Sequence, residues 1–511
     1  MALLAACGEA RSLDPSGREL TDAVDTIEVG SGYSRPASPD ELPDGFPFGG
    51  EVGPEGSGSG NPSDRLSLCD DSGPSGWHAS CASPDCGACA SVADCGQGEV
   101  CEGGVCLPGT LGEESLTIYP ERSLQLFLAP SRLPAFWATL QRGGVAVRRY
   151  FDVVRDTPTD TKVSFDVYRQ LVPASGEPLP EGSGEFTLEE RWVGGYADRS
   201  LLREALAMDT LAALTNQPVG AGEHRIVRVN GEVYGPMYIY RVADEALLRE
   251  TGRDSDAQRY LADGSGEVFA AGGSAMVPLP EGRYAEAFRE ESSSPDDYAP
   301  LSSLVEGAIA PDARDQAAVP GSGACRVRAA IDVDAYLDGL AALALLGDGG
   351  HARANYRVSL QPRAGAPSRW EVWYDHLALS FGCRWNEADD NGLCGPMDAE
   401  ENPYVGMMDE GDALAQYPPT DYYSLLTDVV LSDRELEEAF RERICAMLAS
   451  PYWQTTLPAR MSGLGRLLEP AVAPDPRDRV EGAEGYRAAV DELLAFHEAR
   501  TALLRAQFLC Y

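Results

Sequence analysis

The spacing of apolar residues changes partway along this chain, and the order of the two spacings restricts the fold class. Alternating or β-branched apolar runs, which are typical of strands, come first after residue 114, in "LTIYP", "LQLFLA", "GGVAVRRYFDVV" and "TKVSFDVYR". Helical spacing dominates later, in "DVDAYLDGLAALALL", "SDRELEEAFRERICAMLAS" and the long amphipathic stretch 483–508. Strands followed by helices predict an α+β domain over 114–511.

Local signals add detail to this domain. Asn230-Gly231 lies between two apolar runs and predicts a β-hairpin with a type I′ turn. A helix in "SLLREALAMDTLAALT" is expected to be capped by Asp198 or Ser200. Residues 250–325 are rich in loop-forming residues and are interpreted as an insertion with short helices at best.

Two further strands and a capping box are expected toward the C-terminus. "NYRVSLQ" and "WEVWYDHLALSFG" have the pattern of strands that flank a turn. Ser432 and Glu435 have the spacing of a capping box at the start of a helix.

The residues before 114 divide into three segments. Residues 8–66 are rich in Gly, Pro, Ser, Asp and Glu, and they contain too few apolar residues to fold, so we expect a disordered acidic stalk. Residues 67–110 hold seven of the thirteen cysteines and predict a small cysteine-rich module. Residues 1–7 are interpreted as the remnant of a truncated signal.

This short N-terminal segment resembles the lipobox of bacterial lipoproteins. It reads Leu4-Ala5-Ala6-Cys7, and in such proteins the cysteine is lipidated after signal cleavage. Six residues are too few for a charged region and an apolar region of about 7–15 residues. We therefore interpret Cys7 as the lipidation site of a clipped signal, with chance as the alternative.

Cysteine usage predicts an oxidising compartment, because setting Cys7 aside leaves an even number. Cys86 and Cys89 also have the spacing of a redox pair or of half a zinc site, although no helix is evident after them. A disulfide between Cys383 and Cys394 would staple a loop, and Cys445 and Cys510 lie on the last two long helices and can join them. We expect an extracytoplasmic protein, specifically a bacterial cell-surface or outer-membrane lipoprotein.

The net charge excludes one class of partner. At −40, the chain repels nucleic-acid phosphates and anionic lipid surfaces. Cations, basic proteins and metal-bound nucleotides are more suitable partners, and membrane contact is expected only through a lipid anchor at Cys7. No apolar run of about 18 residues or more occurs.

Lys162 is the chain's single lysine among forty arginines. Compositional drift can leave one such residue anywhere. Lysine also offers a compact ammonium that suits a phosphate site, whereas arginine offers a planar fork of donors.

Five segments in order resemble the spore-coat kinase (CotH) family, which has an atypical protein-kinase-like fold. These segments span roughly 120–510 and read "TKVSFDVYR", "DRSLLREALAMDTL", "VRVNGEVYGPMYIYRVADEALL", "IDVDAYLDGLAALALLGDGGHARANYRVSL" and "WEVWYDHLALSFG".

The resemblance implies a role for each of five residues. Lys162 would lie against the ATP phosphates, with Glu204 as its ion-pair partner, as in protein kinases. Asp348 would accept the proton of the attacking hydroxyl. Asn355 and Asp375 would bind Mg²⁺ or Mn²⁺ through oxygen atoms. Two alternatives remain: Glu204 can be an exposed helical carboxylate, and Asp348 a residue of a helix-terminating turn.

Two positions depart from the family pattern. The family usually reads "W-D-x-D" before "F-G", whereas the second carboxylate is replaced here by Leu377, or by Ala378 if a residue is inserted. His376 is a poor substitute, because Mg²⁺ prefers oxygen ligands. Arg241 stands where the family has a glutamate, and its charge could favour phosphate binding without turnover.

These patterns lead to three functional hypotheses, of which the last is a nucleotide sensor that binds without transfer. The first is a surface-anchored protein kinase that transfers the ATP γ-phosphoryl group to Ser or Thr of a secreted or coat protein, with basic proteins as suitable acceptors. The second is an inactive pseudokinase that acts as a cell-surface or matrix-binding structural lipoprotein.

Overall fold

The computed structural model describes residues in ranges separated by gaps, and the predicted stalk and Cys7 lie outside them. The described residues are 89–95, 99–118, 136–155, 163–170, 186–193, 198–220, 222–262, 276, 279, 283–292, 297–309, 322–348, 356–363, 365–374, 377, 380–382, 424–472 and 482–510.

The protein has the mixed α+β architecture that its apolar spacing predicts. The strands are β1 (Glu99–Glu102), β2 (Val105–Pro108), β3 (Gly112–Ile118), β4 (Phe136–Arg142), β5 (Val145–Arg155), β6 (Val163–Gln170), β7 (Phe186–Val193), β8 (Gly222–Val229), β9 (Glu232–Arg241), β10 (Arg259–Ala262), β11 (Phe288–Glu290), β12 (Tyr356–Arg363) and β13 (Ala366–Tyr374).

Most of the described helical residues follow β9. The α-helices are α1 (Arg203–Leu214), α2 (Glu245–Glu250), α3 (Tyr284–Ala287), α4 (Ala299–Ser302), α5 (Ser322–Ala330), α6 (Val333–Leu346), α7 (Leu425–Leu431), α8 (Arg434–Ala449), α9 (Leu457–Val472) and α10 (Gly482–Gln507). A 3-10 turn covers Val92–Asp94, and π-helical turns cover Ser303–Ile309 and Tyr452–Thr456.

Seven strands close into a barrel in the order β3-β4-β5-β6-β7-β9-β8. Neighbouring strands are antiparallel except β3 and β8, which pair in parallel and close the barrel. The turn between β8 and β9 has positive φ at both Asn230 and Gly231, which confirms the predicted type I′ hairpin. Apolar side chains such as Phe151, Phe165 and Trp192 fill the barrel interior.

Four charged side chains, one each from strands β3, β4, β7 and β8 of the barrel, form a cluster. Arg142 donates from Nε to Glu114 at 2.7 Å and from Nη1 to Glu190 at 2.6 Å, and Arg225 pairs with Glu114 at 2.8 Å. Glu114 is fully buried, and burial raises the pKa of its carboxyl above the usual value. A buried carboxylate is tolerated here because two guanidinium groups accompany it.

A second sheet has the strand order β11-β10-β12-β13 and is antiparallel throughout. Strands β10 and β11 come from the segment 250–325, where the sequence pattern predicts short helices at best. They are only four and three residues long. Such short runs carry too little alternation to be recognised without their pairing partner.

Helix α6 lies at the centre of the main core. From Gly339 to Leu346 its residues are apolar on all sides and every one is buried, whereas Asp334 and Asp338 nearer its start pair with Arg443. A helix that is apolar all round is surrounded by other elements, here α1, α8, α10 and β13.

The start of α8 corrects one sequence prediction. The cap is Asp433, whose carboxylate accepts from the backbone N–H groups of Glu435 and Leu436 at 3.1 Å each. Ser432 donates instead to the carbonyl of Val429 at 2.9 Å. The capping box predicted at Ser432 and Glu435 was therefore wrong by one residue, because Asp competes well with Ser for this position.

Three disulfides join described cysteines, and the bond between Cys445 and Cys510 confirms the predicted link between α8 and the end of α10. The other two join Cys89 to Cys101 and Cys95 to Cys106. Cys89 is thus not half of a redox pair with Cys86. Because such bonds persist in oxidising compartments, they indicate an extracytoplasmic protein. Cys383 and Cys394 lie outside the described residues.

Within the described ranges, no helix combines the length and apolar composition needed to cross a membrane.

Candidate functional site

Three of the predicted site residues lie outside the part of the chain that the structure describes: Lys162, Asn355 and Asp375. Each is next in sequence to the end of a described strand. Lys162 precedes β6, Asn355 precedes β12, and Asp375 follows β13. The described part of the candidate site therefore consists of Glu204, Asp348 and the residues on either side of Asp375.

Helix α1 begins at an anchored turn. The Asp198 carboxylate accepts from the backbone N–H of Arg203 at 2.7 Å and from that of Ser200 at 3.0 Å, which satisfies donors that a helix start leaves unpaired. The N-cap residue is Leu202, so the cap expected at Asp198 or Ser200 was wrong, although the Asp198 carboxylate still accepts from the first N–H of the helix. Leu201 has a φ of 58°, a conformation that costs a non-glycine residue about 1–3 kcal/mol and that surrounding contacts must hold.

Glu204, in the first turn of α1, is buried rather than exposed. Its Oε1 accepts a hydrogen bond of 2.9 Å from the backbone N–H of Leu377. The alternative interpretation of Glu204 as a solvent-exposed helical carboxylate is therefore wrong. The carboxylate holds the chain two residues after Asp375.

Arg203 holds the same segment a few residues further on. Its guanidinium is buried, pairs with Asp198 at 3.3 Å and donates to the carbonyls of Ser380 and Phe381. Phe381 has a φ of 55°, so its strained backbone is held by a charged donor. Burial lowers the pKa of the Arg203 guanidinium, and Asp198 opposes this shift.

Asp348 follows the end of α6 and contacts the same segment. Helix α6 ends at Leu346 and is capped by Gly347, whose φ of 62° suits glycine. Asp348 is fully buried, and its Oδ2 accepts a hydrogen bond of 2.9 Å from the hydroxyl of Ser380. The backbone N–H of Phe381 also donates to the carbonyl of Leu346 at 2.6 Å. Asp348 is thus part of a terminating turn, and its carboxylate is directed at the segment that follows Asp375.

The chain before Asp375 is anchored by Gln217, which follows α1. Its Oε1 accepts from the backbone N–H of Tyr374 at 3.0 Å. A side chain at Gly339 of α6 would overlap the Gln217 amide, so glycine permits this close approach. The backbone N–H groups of Tyr374 and Leu377, which flank Asp375 in the sequence, are therefore each held by a buried side chain.

Gln217 and Ser380 carry this geometry, and the sequence alone did not single them out. The partner of Gln217 lies 157 residues away, and that of Ser380 lies 32 residues away. No local pattern marks such contacts, because both residues also suit ordinary turns and helix ends.

Arg241, at the end of β9, is bound by two carboxylates. It donates to Asp244 at 2.8 Å and to Glu250 at 3.0 Å. Desolvation lowers the pKa of its guanidinium, but these two hydrogen-bonded carboxylates outweigh it and raise the pKa above the usual value. Because the two carboxylates offset its charge, Arg241 offers little net attraction to a phosphate.

A small pocket lies beside Arg241 and is lined by residues from the end of β9 and from β12 and β13. Its lining includes Tyr240, Val242, Arg357 and Trp373. The cavity volume is about 10 Å³, which is room for about one water molecule.

Comparison with known proteins gives one family. The model of the CotH kinase protein family matches residues 160–504, which is well over half of the 511 residues. No curated protein matches the chain. The matched region begins just before Lys162 and includes every residue discussed in this subsection.

Proposed function

This chain belongs to the CotH kinase protein family, and from that premise we propose that it transfers the γ-phosphoryl group of ATP to a serine or threonine of a secreted or coat protein. Lys162 binds the nucleotide phosphates, and Glu204 orients the Lys162 ammonium as its ion-pair partner. Asp348 accepts the proton of the attacking hydroxyl, and Asn355 and Asp375 bind Mg²⁺ or Mn²⁺.

One observation carries the proposal. Glu204 and Asp348 come from different helical elements, yet both hydrogen-bond to the short segment 377–381, which begins two residues after Asp375. Arg203 and the end of α6 hold the same segment. Phosphoryl transfer depends mainly on such positioning of charged groups, since little covalent chemistry falls to the protein.

The donor set suits a hard divalent cation. Asp375 offers a carboxylate and Asn355 an amide oxygen, and Mg²⁺ is usually held by one or two such ligands together with water and substrate phosphates. When bound with the nucleotide, the metal neutralises charge on the phosphates.

Asp348 is oriented before any substrate arrives. The Ser380 hydroxyl fixes the rotation of the carboxylate, which reduces the entropy lost when the acceptor hydroxyl binds. Because Asp348 is fully buried, we expect the acceptor to reach it only after a neighbouring segment moves, as in enzymes with closing loops.

A second candidate function is that of an inactive pseudokinase that binds partners at the cell surface or in a matrix. It is favoured by Leu377, which stands at the second carboxylate position with a fully buried side chain and a backbone held by Glu204. An apolar side chain in this setting cannot supply a metal ligand. The acidic surface and the disulfides suit either function, and both are compatible with a lipid anchor at Cys7.

Labelling with radioactive ATP distinguishes the two functions. The oxidised protein is incubated with γ-labelled ATP and Mg²⁺ or Mn²⁺, alone and with a basic, Ser-rich acceptor protein. Transfer that disappears in Lys162→Met and in Asp348→Asn, but persists in the distant surface variant Arg434→Gln, supports the kinase. No label in the native protein, or equal label in all four proteins, rejects it.

A further inference from the structure

The hairpin of β1 and β2, with its two disulfides, is built into the main core. Val105 and Leu107 are each 1% exposed and belong to the same apolar cluster as α1 and α6. Leu107 lies against Gly463 of α9 so closely that a Cβ at Gly463 would overlap it. The contact is thus a tight packed interface, unlike that of a freely tethered module.

Arg460 of α9 connects this hairpin to α1. Its Nη1 donates to the carbonyl of Cys106 at 3.1 Å, while Nε and Nη2 donate to the Asp209 carboxylate at 3.1 and 2.7 Å. Cys106 is disulfide-bonded to Cys95. One guanidinium therefore joins a crosslinked strand to the middle of α1.

The first turn of α1 contains Glu204, which belongs to the candidate site. Glu204 lies five residues before Asp209 on the same helix and accepts from the N–H of Leu377. A helix transmits a displacement along its axis because its hydrogen-bonded backbone is stiff. The position of Asp209 thus affects the position of Glu204.

We propose that Arg460 is a positioning residue that ties the disulfide-bonded hairpin to α1 and so holds Glu204 against the segment after Asp375. Its effect on phosphoryl transfer rests on the proposed function, whereas its effect on the Glu204–Leu377 contact does not.

The proposal makes the hairpin's oxidation state a condition for an assembled site. A dithiol reductant would transfer two electrons and two protons to the Cys95–Cys106 bond, giving two thiols and leaving the reductant as a disulfide. The Cys106 carbonyl is then held only by the pairing of β1 with β2 and by the packing of Val105 and Leu107, and its hydrogen bond with Arg460 weakens. We expect reduction to have the same effect as loss of Arg460.

Hydrogen exchange at the amide of Leu377 tests the proposal. The full chain is compared with Arg460→Gln and with the matched control Arg466→Gln, which lies on the same helix and pairs with Glu102 of the hairpin. Its partner is not on α1. Arg460→Gln should speed exchange in the peptide 374–382 about fivefold, the equivalent of one weakened hydrogen bond. Arg466→Gln should leave the rate unchanged.

Several results would overturn the proposal. Unchanged exchange in Arg460→Gln contradicts it, and so does an equal increase in Arg466→Gln. If Arg460→Gln does not fold, Asp209→Asn replaces it, since this variant keeps the side-chain volume and the Arg460–Cys106 contact. Unchanged exchange in Asp209→Asn is equally contradictory.

Activity separates the failure of this proposal from failure of the kinase function. With ATP turnover present, Arg460→Gln should lower kcat more than it raises KM for ATP, while Arg466→Gln changes neither. Absence of turnover in the native protein rejects the kinase function, and the exchange rates still decide the role of Arg460. Normal turnover with unchanged exchange in Arg460→Gln rejects the positioning role alone.

Discussion

Replacement of Ser380 by alanine tests whether a charged carboxylate is held at residue 348. The Ser380 hydroxyl donates to Asp348 Oδ2 at 2.9 Å, and both residues are fully buried. A hydrogen bond to a charged group contributes about 1.5–3 kcal/mol, and a neutral bond contributes about 0.5–1.5 kcal/mol. Ser380→Ala should therefore lower the free energy of unfolding by about 1.5–3 kcal/mol.

A second buried serine supplies the control. Ser359 is also fully buried, and its hydroxyl accepts a bond of 2.8 Å from the neutral amide of Gln361. Ser359→Ala removes the same atom from a neutral pair and should cost only about 1 kcal/mol. Urea unfolding of the oxidised protein at neutral pH measures both variants.

A double-mutant cycle isolates the contact. Asp348→Ala, Ser380→Ala and the double variant should give a coupling energy of about 1.5–3 kcal/mol. A coupling below about 0.5 kcal/mol, or equal losses in Ser380→Ala and Ser359→Ala, would refute the reasoning. In that case Asp348 would be a turn residue whose charge the site does not hold.

Three further predictions concern stability. Replacing both Cys445 and Cys510 with serine opens a link across 65 residues and should cost about 4 kcal/mol in unfolding free energy; a loss under about 1 kcal/mol would contradict the estimate. Gly463→Ala forces Leu107 aside and should lower the Tm by an amount equivalent to about 1–3 kcal/mol. Gly307→Ala is the control and should change the Tm little, because no heavy atom lies within 4 Å of the added Cβ. Equal effects of the two substitutions would contradict the docking of the hairpin. Burial raises the pKa of Asp338 from 3.8 to about 6, although the charge of Arg443 opposes this shift. The folded protein therefore favours the protonated carboxyl, and the stability that this group contributes is present below pH 4 and is lost as the pH rises through about 6. Asp338→Asn should therefore be more stable than the native protein at pH 7.5, by up to about 3 kcal/mol in unfolding free energy. Thermal unfolding should show this difference shrinking toward pH 4. A less stable variant at pH 7.5 would show that the ion pair with Arg443 outweighs burial.

Elements with strong local signals could be predicted from the sequence. The Asn230-Gly231 turn, helix α6 and the crosslink of Cys445 to Cys510 each follow from nearby residues or from element ends that must meet. The short strands β10 and β11 could not be predicted, because β10 is a strand only through its pairing with β11 and β12, and β11 only through its pairing with β10. Register, which decides such pairings, is a property of the folded sheet.

The candidate site, like the fold, could be predicted from the sequence only in part. Glu204 and Asp348 were recognised through family resemblance, yet the reason they matter together is the segment 377–381, to which both hydrogen-bond. The contacts of Gln217 and Ser380 and the buried charge cluster around Glu114 depend on tertiary proximity. A single sequence holds no record of which distant residues meet.

Binding of ATP to the oxidised chain tests the central claim most directly, namely that Lys162, Asp348 and Asp375 serve one nucleotide–metal site. Isothermal titration with Mg²⁺ and ATP should show binding by the native protein, and at least a tenfold weaker affinity in both Lys162→Met and Asp375→Asn. The control Arg466→Gln should bind like the native protein. No heat of binding in the native protein, or equal affinities in all four proteins, would contradict the account.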